Sequence, residues 1–140
     1  MSELKDLKEG CVYLDDCIVI RKDVSVIAVI NQGVKFDHDI DMGNGWVLRS
    51  SRLHFILGHE VDVTFNFFKD SLKMFGFALE NEHGRDLEQL KRKHDNFLKN
   101  LLSDPQKKNE ILVAYEFAWG FITSQIDPRG GSCSIELNWI

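Results

Sequence analysis

The sequence predicts an α+β domain, mainly antiparallel β-sheet, with one long amphipathic helix at about residues 85–103 inserted before the last strands. Three patterns carry that reading. Val61, Val63, Phe65 and Phe67 alternate with Asp62, Thr64 and Asn66, the period of two that buries one face of a strand and wets the other. Between Gly84 and Ser103 the period changes, and Leu87, Leu90, His94, Phe97, Leu98, Leu101 and Leu102 recur at helical spacing with charges on the opposite side. Further on, Ile135, Leu137 and Trp139 alternate after Asp127-Pro128-Arg129-Gly130, which has Asp, Pro and Gly where a β-turn wants them.

With 140 residues, 44% hydrophobic and 28% charged, the chain reads as one domain, residues 1–140, with an ordinary globular composition. The first nine residues mix charges of both signs without an apolar core, so they do not read as an export signal, and a cytoplasmic location is expected. The longest apolar run, around residues 24–30, is far shorter than the roughly 20 residues of a membrane-crossing helix.

Along the chain, residues 12–14, 17–20 and 24–30 are rich in β-branched side chains and read as strands, with Arg21-Lys22-Asp23 as a hairpin break. The polar, glycine-bearing stretch 31–45 reads as a loop with a short strand near residues 34–36. Extended structure resumes at Trp46 and includes residues 52–57. Residues 72–79 turn back as the partner of residues 61–67, with Gly76 as a bulge or a point of close packing. Asp86, with Gln89 three residues on, caps the helix, and Asp104-Pro105 stops it. In residues 111–121 large apolar side chains fall at every second position, forming one wall, and the carboxy-terminal strand pairs back on the strand before the turn.

The familiar catalytic signatures are absent. There is no GxxxxGK[ST] or GxGxxG loop for phosphates and no GxSxG elbow, although a nucleophilic triad can assemble in space without a sequence motif. Cys11, Cys17 and Cys133 lack CxxC spacing and read as reduced, structural thiols. A net charge of −5 argues against direct binding of nucleic acid, and the basic triplet Lys91-Arg92-Lys93 reads as a solvated helix face. His54 and His59 stand five apart, not the four of a helical zinc site, while His94 should pack its ring in the core and hydrogen-bond at its edge.

One segment invites a functional reading. Asp37, Asp39 and Asp41 alternate with His38 and Ile40, the start of a calcium-loop pattern that fails at Met42, where a glycine is needed, and at Leu48, where a glutamate is needed. No Lys or Arg interrupts residues 37–48, and Trp46 follows Gly43-Asn44-Gly45 as a candidate interface anchor. The expectation is therefore a small acidic binding protein that inhibits a macromolecular partner, as an immunity protein neutralises a basic toxin or nuclease. Its partner-binding residues are Asp37, His38, Asp39, Asp41, Asn44 and Trp46, with no cofactor, metal, nucleic acid or membrane expected. A homodimer through exposed edge strands is compatible with this. The alternative is a small-ligand or metal-dependent enzyme with a pocket between sheet and helix, drawing acid–base groups from Asp37, His38, Asp39, Asp41, His54 and His59.

Overall fold

The computed structural model describes residues 7–79, 86–127, 129 and 131–140. Most of the amino-terminal stretch, residues 80–85 with the first position of the expected helix, and two turn positions, Pro128 and Gly130, lie outside the described residues. Among the described residues the order is β1 (Val12–Leu14), β2 (Ile18–Ile20), α1 (Val26–Asn31), β3 (His38–Gly43), β4 (Trp46–Ile56), β5 (His59–Phe68) and β6 (Ser71–Leu79). Then come α2 (Leu87–Leu102), β7 (Lys107–Lys108), β8 (Leu112–Phe117), β9 (Gly120–Asp127) and β10 (Ser132–Trp139). The α+β class therefore holds, with the long helix in the expected place.

β1 and β2 form a hairpin, and the other strands form an eight-stranded sheet in the order β3-β4-β5-β6-β10-β9-β8-β7. The sheet is antiparallel at each of its seams and consists of two meanders, β3–β6 and β7–β10, joined along β6 and β10 through pairs such as Phe77↔Ile135 and Phe75↔Leu137. Helix α2 is the connection that carries the chain from one meander to the other. Four hairpins turn through two consecutive left-handed residues, Asp15-Asp16 between β1 and β2 and, in the large sheet, Asn44-Gly45, Leu57-Gly58 and Lys69-Asp70, the geometry that matches strand twist. At Gly120 a Cβ would lie 2.0 Å from the Asn138 carbonyl oxygen, so only glycine lets β9 start against β10.

The core lies on one side of the sheet. Phe65, Phe67, Phe75, Phe77, Ile122, Ile135 and Leu137 are buried there beneath α2, α1 and the β1–β2 hairpin. α2 is capped as expected, with the Asp86 carboxylate accepting from the Gln89 amide at 3.1 Å. His94 is fully buried and also behaves as expected: its Nε2 accepts from the Leu79 amide at 3.0 Å.

Several local readings are corrected. Residues 24–30 contain α1, not a strand: Ser25 caps it by accepting from Ala28 N at 3.1 Å, and Gln32 at its end exchanges hydrogen bonds with the backbone of Val19. Those local and tertiary bonds outweigh β-branched propensity. The acidic stretch is strand β3, not loop, and the chain at residues 34–36 is not a strand. The register shift in the β5–β6 pair falls between Asn66 and Phe67, not at Gly76. The wall at residues 111–121 is two strands folded at Ala118-Trp119, which sends Val113 and Tyr115 into the core but leaves Ile111 and Phe121 exposed. Lys91 is only 4% exposed, its ammonium 2.8 Å from both Asp95 carboxylate oxygens, so the basic triplet is not wholly solvated.

Candidate functional site

Because side chains alternate across a sheet, the register defines a second, open face. One row runs Ile40, Leu48, Asn66, Met74, Asn138, Phe121 and Glu116 across seven strands; the next runs Ser50, Thr64, Gly76, Glu136, Thr123, Ala114 and Lys107. Near the β3 edge this face is apolar. Ile40 is 55% exposed and Trp46 38%, and the Trp46 ring leans on Phe68 at 5.0 Å; Met42, 62% exposed, stands beside them at the irregularity between Asp41 and Gly43. Single exposed apolar residues are ordinary; here several stand close together on one edge of the sheet. Toward the centre the face turns polar. The Gln125 amide donates to both Glu136 carboxylate oxygens at 2.8 and 2.9 Å, and burial pushes the Glu136 pKa above its ordinary value despite that bond.

Asp37, His38, Asp39, Asp41, Asn44 and Trp46 are all exposed and share the β3–β4 hairpin, but they do not share a face. His38 and Trp46 belong to the open face, whereas Asp39 and Asp41 stand opposite Arg49 and Val47 on the other side of the strand. Each aspartate also has an intramolecular task. Asp37 accepts from the Arg52 amide at 2.8 Å, Asp39 pairs with the Arg49 guanidinium at 2.7 Å, and Asp41 accepts from the Gly43 amide at 2.9 Å. Among the described residues no cluster of three or more His, Cys, Asp or Glu side chains is arranged to hold a metal ion. Sequence reasoning passed over Ile40 and Met42; the Asn44-Gly45 pair flanked by alternating residues is the hairpin signal that could have found them.

Comparison with protein-family models, with curated proteins and with solved structures gives no match to this chain.

Two further clusters resemble catalytic sites. Ser51 Oγ lies 2.6 Å from His54 Nε2, and His54 Nδ1 lies 2.7 Å from Asp15 Oδ2, the order of a hydrolase triad assembled across distant residues. However, Ser51 is only 2% exposed and sits 2.7 Å from the Lys35 carbonyl, to which it donates, so its hydroxyl is covered and engaged. Asp15 also accepts from the Phe55 amide at 2.8 Å. The cluster ties the β1–β2 turn and the chain before β3 to the irregularity between Ser51 and His54 in β4. The second cluster joins His94 Nδ1 to Cys133 Sγ at 3.4 Å. Since Nε2 accepts from a backbone amide, the imidazole proton sits on Nδ1 and points at sulfur. Burial pushes His94 down to about 4 and the Cys133 thiol up to about 11, which is the reverse of an activated thiolate–imidazolium pair.

The acid–base candidates do not converge. His59 packs edge-on against Phe97 at 5.3 Å, beside an open groove of about 390 Å³ between α2 and the β4–β5 turn, while His54 is held in the Asp15 clamp and His38 lies on β3.

Proposed function

We propose that this protein works by binding a basic protein partner, docking it on the open sheet face where β3 and β4 form the edge, in the manner of an inhibitor or immunity protein. The observation that carries this reading is the exposed apolar group at the β3–β4 edge, Ile40 and Trp46 on the open face with Met42 at the irregularity between Asp41 and Gly43, while the other side of β3 bears aspartates. An apolar centre with charge around it is the ordinary anatomy of a protein interface. The net charge of −5 would speed encounter with a positively charged partner. The intramolecular bonds of Asp37, Asp39 and Asp41 make them rim groups that steer and orient, while the apolar side chains supply affinity.

Affinity capture from the native lysate tests this reading, using the wild-type chain, an Ile40→Ser/Trp46→Ser variant and an Asp37→Ala/Asp39→Ala/Asp41→Ala variant at low and high salt. One stoichiometric basic protein is expected with the wild type, lost with the first variant and weakened by salt and by the second. A partner retained equally by all three would place the interface elsewhere.

A further inference from the structure

A trough of about 280 Å³ runs along the open face above β6. It exists because β6 presents Gly76 and Ala78 there, while β5 on one side offers Asp62 and Thr64 and β10 on the other offers Ser134 and Glu136. A glycine inside a strand weakens it and often marks a close approach by a ligand. Here the backbone needs no glycine: Gly76 is not in the left-handed region, and a Cβ would make ordinary contacts, 3.5 Å to Glu136 Cγ and 3.6 Å to Ile135 O. With strands about 5 Å apart, the two walls stand roughly 10 Å apart, room for a flat group between them.

The trough also has a direction. Leu48 and Met74 line one end, Glu136 stands level with Gly76 in the middle, and Asp62 lies level with Ala78 toward the other end, with no basic side chain in its lining. We propose that it receives an arginine side chain of the protein partner, with its methylenes over Met74 and Leu48 and its guanidinium between Glu136 and Asp62. This deepens the docking reading and rests on it for the source of the arginine. A guanidinium suits the site better than an ammonium because its several fixed donors meet the hydroxyls of Thr64 and Ser134 as well as the carboxylates. Gln125 takes one bond at each Glu136 oxygen and leaves further lone pairs. An incoming cation would also offset the burial that raises the Glu136 pKa, so that carboxyl should titrate lower in the complex.

The test is an NMR titration of the isotope-labelled full chain with N-acetyl-arginine methylamide, run beside the corresponding lysine and norleucine amides and free arginine. Saturable shifts are expected at Gly76, Ala78, Ser134 and Glu136 with the arginine amide. Glu136→Gln should weaken binding about tenfold or more, as loss of a charged hydrogen-bond partner does, and Gly76→Leu should abolish it by filling the trough. Absence of saturable shifts, or affinity unchanged in both variants, would overturn the proposal. Equal binding of the lysine or norleucine amide would overturn the guanidinium assignment, and much tighter binding of free arginine would overturn a protein-borne source. If Gly76→Leu does not fold, the nearly isosteric Glu136→Gln variant still decides. The isolated chain carries this experiment, so its failure is separate from failure of the docking reading, which shows in partner capture.

Discussion

On β5 the covered face presents Val61, Val63, Phe65 and Phe67, all buried, while the open face of the same strand presents Asp62, Thr64, Asn66 and Phe68, none of them buried. β10 repeats the contrast, with Cys133, Ile135 and Leu137 buried against Ser134, Glu136 and Asn138 half-buried. Polar groups do enter the covered side, but as matched sets: Lys91, Asp95 and Ser124 bond together, and His94 is held between Leu79 and Cys133. The open side combines exposed apolar side chains with a half-buried carboxylate, a mixture that folding does not demand. The difference teaches that the covered face answers to stability, while the composition of the open face is not set by packing in the same way.

The largest effect that would test this comparison is Phe65→Ala. Phe65 is fully buried and packs on Phe36, Phe67 and Phe75 at ring distances of 5.4, 5.9 and 5.1 Å, so its truncation should cost about 3–5 kcal/mol in chemical denaturation. A smaller loss would mean that the core repacks around the gap.

Acid comes next. His94 is held at about 4 against an ordinary value of 6.5, so as pH falls the unfolded chain takes up this proton first. Its contribution is complete above pH 6.5 and lost on the way down to about 4, roughly 3 kcal/mol in all by the standard linkage. Denaturation midpoints across that window should fall, and a His94→Gln variant, less stable at neutral pH, should lose most of the slope. Glu136 on the open face has the opposite sign. Its raised pKa gives a contribution present below the ordinary 4.5 and lost as pH rises through the folded value, so Glu136→Gln should make the fold relatively more stable at neutral pH than in acid.

The open-face substitution Ile40→Ser should change stability by no more than about 1 kcal/mol, because the side chain is more than half exposed, and Trp46→Ser by about 1–2 kcal/mol, because its ring leans on Phe68. A large loss from either would show that the β3 edge serves the fold and would blur the distinction between the faces. The smallest effect is expected from Gly76→Ala. The methyl fits and removes backbone freedom from the unfolded chain, so thermal denaturation should show a gain of about 0.5 kcal/mol. A loss would mean that the walls of the trough close more tightly over β6 than the geometry indicates.

Much of the fold was legible where a segment's chemistry agrees with a single period. The alternation in residues 61–67, the helical spacing after Asp86 and the alternation ending at Trp139 each named an element and its buried side. Legibility failed where local propensity competed with distant partners: the apolar run at residues 24–30 became α1 through Ser25 and the Gln32–Val19 bonds. It also failed where charge suggested a loop. Asp39 and Asp41 are tolerated in a strand because β3 is an edge with water on both sides, and charge on an edge blocks unwanted pairing. Of the candidate site, the aspartates and Trp46 were visible in the sequence, but the hairpin that joins them was read as a loop, and its apolar members Ile40 and Met42 were hidden between aspartates.

By itself, the sequence determined the class of the fold, the long helix and which residues of the central strands are buried, because those follow from periodicity within a few neighbours. Only the tertiary structure decided that β10 inserts between β6 and β9, that Asp15 meets His54, and that Gly76 lies between Thr64 and Glu136. Strand order and register join residues far apart in the chain, and the free energy that selects them comes from burying whole faces together, a quantity that no local pattern contains.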